Sequence, residues 1–272
     1  MILPCGRRGP AYATMVADNS TTKGFGTVTQ PRRRPAWPGE LAVLVGLLVV
    51  YDQVAGLAKV RTEAALAHGR ALLTVEHFSI EQRLDQLLDG VSWLHAPAAY
   101  YYDIAHIAVT TMVLVGAYLL RPTSYRRART ALVTINLVGL AVFLAYPLAP
   151  PRLLPDAGFV DIVAQSHTWG AWETAGGVAQ RANEYGSMPS LHVAWAVWVA
   201  LTVASMTTSR AWRATAWGHV ALTSVVVVAT GNHYLLDVLA GALTCAVGWA
   251  VAVVRRTEVA APVDEPVLQT TS

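Results

Sequence analysis

His233 and Asp237, in "GNHYLLD", stand four residues apart, a spacing that puts both on one face of a helix. There the carboxylate can accept a hydrogen bond from one ring nitrogen, which fixes the tautomer and leaves the other nitrogen to attack or to take a proton. Read alone, the two are a polar pair that joins helices. A second imidazole, His192, closes "PSLH" at 189 to 192. Pro189 suits a first helical turn, with Ser187 or Met188 as cap. The unsatisfied N–H groups of such a terminus and the Ser190 hydroxyl make an anion site. Without company the stretch is an N-cap followed by an interfacial His. Arg152 follows the proline-rich "YPLAPPR", whose prolines hold the backbone extended. Its guanidinium suits bidentate contact with phosphate; alone, it is an interfacial anchor. Arg181 is a second phosphate candidate. Asp103 and His106, in "YYYDIAHIAV", are three apart and either line the same pocket or satisfy each other. Together two His, one Asp, one Arg and a helix N-terminus describe metal-free phosphoryl transfer. One imidazole attacks phosphorus, the other protonates the leaving oxygen, and Arg with backbone N–H groups holds the equatorial oxygens. Zinc is not expected, since only two His and one Asp converge, and no cofactor is implied.

These residues need a scaffold, and the composition says which kind. The 272 residues are 54% hydrophobic and only 14% charged, with a mean hydropathy of +0.41; an average soluble domain is roughly 25% charged. The expectation is an all-α, integral-membrane bundle of six transmembrane helices at 41–58, 97–120, 130–148, 189–208, 213–230 and 234–254. An additional amphipathic helix in "EHFSIEQRLDQLLDGVSWL" carries Phe78, Leu84, Leu87, Leu88 and Val91 at helical spacing and is expected along the membrane surface. Residues 1–39 are polar and read as a disordered cytoplasmic tail, 40–256 as the six-span membrane domain and 257–272 as a second disordered tail. The rival reading of the start is a signal peptide, but the first apolar run lacks a convincing small-residue cleavage site. Met15 is an alternative start. Cys5 and Cys245 give neither a disulfide framework nor a zinc spacing. Trp37, Trp93, Trp212 and Trp217 fall near span ends, as an aromatic belt. The outer connection 149–188, with Trp169 and Trp172, is long enough to have a task of its own.

The formal charge is +3, yet the basic residues sit in short clusters beside apolar runs, which points to topology rather than nucleic acid. Fourteen of the 20 Lys and Arg lie in the first tail, "RPTSYRRAR", "SRAWR" and the C-terminal segment, against Lys59, Arg61, Arg70, Arg83, Arg152 and Arg181 on the other side. The positive-inside rule then puts both termini in the cytoplasm and His192, His233 and Arg152 at the extracytoplasmic face of a cell membrane. The partner expected from this pattern is the membrane.

The ordered set "YPLAPPR", "PSLH" and "GNHYLLDVLAG" resembles the type 2 phosphatidic acid phosphatase superfamily over roughly residues 70 to 250, in the branch of inositol phosphorylceramide synthases and bacterial inositolphosphotransferase-like proteins. The resemblance adds a lipid substrate and implies a metal-independent six-span enzyme with His233 as nucleophile, Asp237 orienting it, His192 as general acid, and Arg152 and Ser190 on the phosphate. Three positions depart from the phosphatase form: Ala145 replaces a Lys, Leu191 a Gly, and Val226 and Val227 a Ser-Arg pair. Fewer cations suit a singly charged phosphodiester better than a phosphomonoester. The expected activity is therefore transfer of a phosphate-linked head group, phosphoinositol by family, between lipids. Alternatives are a lipid phosphate phosphatase and, from another class, a non-catalytic carrier or haem-binding protein using His106 and His192.

Overall fold

A computed structural model describes residues 34–76, 79–155, 157–166 and 184–260. Arg181, Phe78, Trp169, Trp172 and nearly all of the two expected tails lie outside the described residues. The helices are α1 (Trp37–Lys59), α2 (Thr62–Glu76), α3 (Ser79–Asp89), α4 (His95–Tyr100), α5 (His106–Leu120), α6 (Pro122–Ala145), α7 (Ile162–Gln165), α8 (Leu191–Met206), α9 (Arg210–Ala229) and α10 (Leu235–Ala260). Short 3-10 turns cover Ser92–Leu94 and Pro151–Leu153, and Tyr101–Ala105 is a π-helical turn joining α4 to α5. Among the described residues the extended pairing is a single isolated bridge between Leu148 and Gly186.

Four helical segments are long and apolar enough to cross a membrane: Trp37–Leu57, Ser92–Leu120, Pro122–Ala145 and Leu235–Arg255. The sequence led us to expect six. α8 is apolar but has 16 residues, a rise of about 24 Å against a hydrocarbon thickness of roughly 30 Å. α9 has 20 residues but opens with "RAWRATAWGH", which dilutes its hydropathy. Boundaries differ for local reasons. α6 starts at Pro122 rather than at 130, because Pro122 opens the helix and the Arg-rich turn is itself helical. Similarly, α1 begins at Trp37, inside the expected tail, and α10 continues past 256. The connection 59–96 holds two helices, α2 and α3, where one was expected.

The core lies between α6, α8 and α10. Ala128, Ala131, Ile135, Ala194, Trp198 and Cys245 are fully buried there, and the Trp198 indole donates to the Ala128 carbonyl at 2.7 Å. Small residues set the helix spacing: a Cβ at Gly248 would lie 2.7 Å from Ile135 and 2.8 Å from the Ala131 carbonyl. α1 packs outside this core, with Leu41, Leu44 and Leu48 exposed. Its start is tied to α6 through Glu40, which accepts from Tyr125 (2.7 Å) and Arg129 (2.9 Å).

α2 and α3 brace the ends of α9 and α10. α3 is amphipathic in an unexpected sense: Glu81 and Asp85 are buried while Ile80 and Leu87 are exposed. Leu84 packs with Val227 and Val228 of α9. The segment after α6 is held by two bonds from α2 and a third from Tyr234, just ahead of α10. The Ala149 N–H donates to Ala65 (3.1 Å), His68 bonds the Pro147 carbonyl (2.8 Å), and the Tyr234 hydroxyl donates to Ala149 (2.9 Å). The same segment meets the approach to α8, where the Leu148 N–H donates to Tyr185 at 2.8 Å. Three stretches far apart in sequence thus converge at one end of the bundle.

Candidate active site

The approach to α8 is built differently from the expected cap. The Met188–Pro189 peptide bond is cis, the helix starts at Leu191, and Ser190, not Ser187 or Met188, is the N-cap; its Oγ accepts from the Val193 N–H at 3.4 Å. Pro189 therefore precedes the helix instead of occupying its first turn. Ser190 is fully buried. With its oxygen accepting from Val193, the hydroxyl faces a phosphate only as a donor, beside the Leu191 and His192 N–H groups that no helix satisfies internally.

His233 also sits outside a helix. It lies two residues ahead of α10, and Asp237 occupies the first turn. The pair still meets, at 3.3 Å between Nδ1 and Oδ2. The shortest contact of Nδ1, however, is the Ser187 carbonyl at 2.9 Å. Because a carbonyl only accepts, Nδ1 carries the proton and Nε2 keeps its lone pair. Asp237 Oδ2 is fixed in turn by the Ser187 hydroxyl and by the Tyr234 N–H at 3.0 Å. That last bond is one half of a capping box, so the residue that orients the imidazole also starts the helix. The Ser190 N–H donates to the Asp237 carbonyl at 3.0 Å, tying the start of α8 to α10. Gly241 permits this approach, since a Cβ there would lie 2.3 Å from the Ser190 carbonyl.

His192 faces His233 with ring centroids 5.6 Å apart. It contacts Tyr102, stacked at 4.4 Å, and His106, tilted at 4.1 Å. The widened turn at Tyr101–Ala105 makes this possible. It lets His106 Nδ1 reach the Tyr102 carbonyl at 2.9 Å. Asp103 lies half-buried on the same turn. The imidazoles of His106 and His192 are in contact, which leaves no room for a porphyrin plane between them.

Arg152 stands in a 3-10 turn, so its backbone is extended only up to Pro150. Its N–H donates to the Gly231 carbonyl at 3.0 Å, its Nε to Asn232 Oδ1 at 2.8 Å and its Nη1 to Asp161 Oδ2 at 2.5 Å. Gly231 has φ +64° and its Cβ position is crowded by Arg152 and Asp85, so glycine lets this turn close. Arg152 and Asp161 both lie within electrostatic reach of Tyr102, the residue stacked on His192. Arg181 lies outside the described residues. Where the phosphatase form carries its Ser-Arg pair, Val226 and Val227 are buried, Val227 against Val193 in a cluster that Tyr102 also touches. Leu191 packs on Gly139 of α6.

Several contributors had no clear sequence signal. From the sequence Ser187 reads only as a cap. Glu76 and Glu81, at the α2–α3 junction, reach across to the start of α10, where their carboxylates accept the Leu236 N–H (2.6 Å) and the Leu235 N–H (3.4 Å). Burial, reinforced by the adjacent Glu81 and Asp237, pushes the Glu76 carboxyl up to about 8. Asp85 accepts from the Val160 N–H at 3.0 Å, and burial pushes it up to about 6. Among the described residues no three His, Cys, Asp or Glu side chains group as a metal site.

Comparison with known proteins bears on the family of the chain. Residues 71–251 match the model of the PAP2 superfamily. A relative named phosphoinositol dihydroceramide synthase, from Bacteroides thetaiotaomicron, is 29% identical over 143 residues, covering 46% of this chain and 45% of the relative. The chain thus aligns with less than half of that protein's length. No solved structure matches.

Proposed function

The chain belongs to the PAP2 superfamily, and from that membership we propose a membrane phosphotransferase that moves phosphoinositol from one lipid to the hydroxyl of another through a phosphohistidine on His233. The observation that carries the chemistry is the facing pair of imidazoles, with the His233 proton held on Nδ1. Nε2 attacks phosphorus, and His192 protonates the departing lipid oxygen. The new positive charge on the His233 ring is stabilised by the Ser187 carbonyl and Asp237. In the second half His192 takes the proton of the acceptor hydroxyl, whose oxygen attacks the phosphohistidine and restores both imidazoles. Arg152, the Ser190 hydroxyl and the first N–H groups of α8 hold the non-bridging oxygens. No step of this reading needs a metal ion.

Transfer is favoured over hydrolysis by the buried Val226 and Val227, which leave an apolar wall where a phosphatase places a cation. The relative's name supports phosphoinositol as the group moved. In this reading α8 and α9 cross the membrane with the four longer segments, α3 lies along the surface, both termini are cytoplasmic, and the site opens at the outer face. The test is to incubate purified protein with head-group-labelled phospholipids, with and without lipid alcohols. Label should appear on a new lipid only when the alcohol is present. Release of label to water whether or not alcohol is present, as the free phosphorylated head group or, from phosphatidic acid, as inorganic phosphate, would establish a hydrolase instead, and full turnover by His233→Ala would overturn the mechanism.

A further inference from the structure

The Arg152 guanidinium is already partly occupied. Nε is bonded to Asn232 and Nη1 to Asp161, and Asp161 is itself held at both oxygens, since Oδ1 accepts the Ala164 N–H at 2.9 Å. The preceding residue is anchored too, its N–H donating to the buried Asp85 at 3.0 Å. Both partners of the ion pair are largely shielded, with side chains 15% and 24% exposed. A loop carboxylate fixed in this way is not a mobile counter-ion. We propose that Asp161 sets the charge selectivity of the phosphate site: it stays bonded to Arg152 during binding, so the site meets its ligand as a neutral Arg–Asp pair and selects singly charged phosphodiesters against phosphomonoesters.

The reasoning is electrostatic. A guanidinium facing a phosphate unaided attracts a second negative charge as strongly as the first. With a carboxylate fixed on one arm, the remaining N–H groups still donate hydrogen bonds, while the second charge of a monoester is repelled by Asp161 in a poorly solvated setting. The apolar Val226 and Val227 supply no compensating cation. This inference rests on the reading that Arg152 contacts the phosphate, and it assigns selectivity to a residue outside the three motifs.

Asp161→Asn keeps an oxygen for the Ala164 N–H and removes the charge; Asp161→Ser does the same with a shorter side chain. The full chain, in detergent or nanodiscs, is compared with both variants on phosphatidylinositol and phosphatidic acid. The readouts are kcat/KM and the melting-temperature shift induced by short-chain forms of each lipid, which reports preference without turnover. The expected result is a rise of about tenfold or more in the phosphatidic acid to phosphatidylinositol ratio, with the unliganded melting temperature close to that of the wild type. An unchanged ratio overturns the proposal, and so does an equal gain on both lipids, which would mean that Asp161 merely competes for Arg152. The wild-type preference tests the transferase reading separately. A wild type that turns over phosphatidic acid faster than phosphatidylinositol sinks that reading, while the variant-to-wild-type ratio still judges Asp161.

Discussion

At the scale of single residues, the site depends on a few buried acceptors, with Asp237 Oδ2 bonded by several donors while its Oδ1 has no hydrogen-bond partner among the described residues. Ser187 contributes twice, through its carbonyl to His233 and its hydroxyl to Asp237. Ser187→Ala removes only the second, and a hydrogen bond to a charged group contributes about 1.5–3 kcal/mol. We expect kcat to fall roughly tenfold or more with KM little changed, as for a group that positions the nucleophile. Asp237→Asn should behave alike and more severely; an effect confined to KM in either variant would assign the pair a purely structural role. Glu76 gives a pH signature. Its carboxyl is raised from 4.5 to about 8 by burial and by neighbouring Glu81 and Asp237, so the folded state holds the proton more tightly than the unfolded chain. Its contribution to stability is fully present below about 4.5 and is lost as pH rises through about 8. Glu76→Gln stays uncharged and still accepts the Leu236 N–H. Melting temperatures at pH 5, 7 and 9 should therefore decline less with pH in that variant than in the wild type; parallel profiles would show that Glu76 does not titrate in this window.

At the scale of elements, the two imidazoles are set by how closely α8 and α10 approach. A Cβ at Gly241 would meet the Ser190 carbonyl at 2.3 Å, and that atom belongs to backbone and cannot swing aside. Gly241→Ala should push the helices apart, costing about 1–3 kcal/mol and separating His192 from His233. Gly116, in α5, has nothing within 4 Å of its Cβ position. Gly116→Ala should then be neutral or stabilise by up to about 1 kcal/mol through helix propensity. Thermal unfolding with an activity assay on both variants checks the contrast; equal behaviour would mean that the contact at Gly241 does not set the site. The helical pattern itself was largely legible, because apolar runs and Pro122 mark themselves locally. The π-helical turn at Tyr101–Ala105 was not. Its first residue, Tyr101, packs on α9, where the hydroxyl meets His219 at 2.7 Å and Thr223 at 3.0 Å, and those partners are more than a hundred residues away.

At the scale of the whole molecule, the proposed orientation rests on charge asymmetry. Basic residues concentrate in the first tail and in the turns before α6 and α9, so a reporter fused after Ser272 should be cytoplasmic. An external signal would reverse the orientation and move the site to the inner face. The sequence by itself determined the membrane class, the order of the three motifs and the residue types able to transfer phosphate, because hydropathy and short motifs are local properties of the chain. Only the tertiary structure decided that Ser187 bonds both His233 and Asp237, that Tyr102 and His106 contact the His192 ring, that Glu76 and Glu81 cap α10, and that Asp161 occupies one arm of Arg152. Most of these contacts join stretches tens of residues apart. No spacing rule reports them, since burial and helix packing, rather than sequence proximity, bring the partners together.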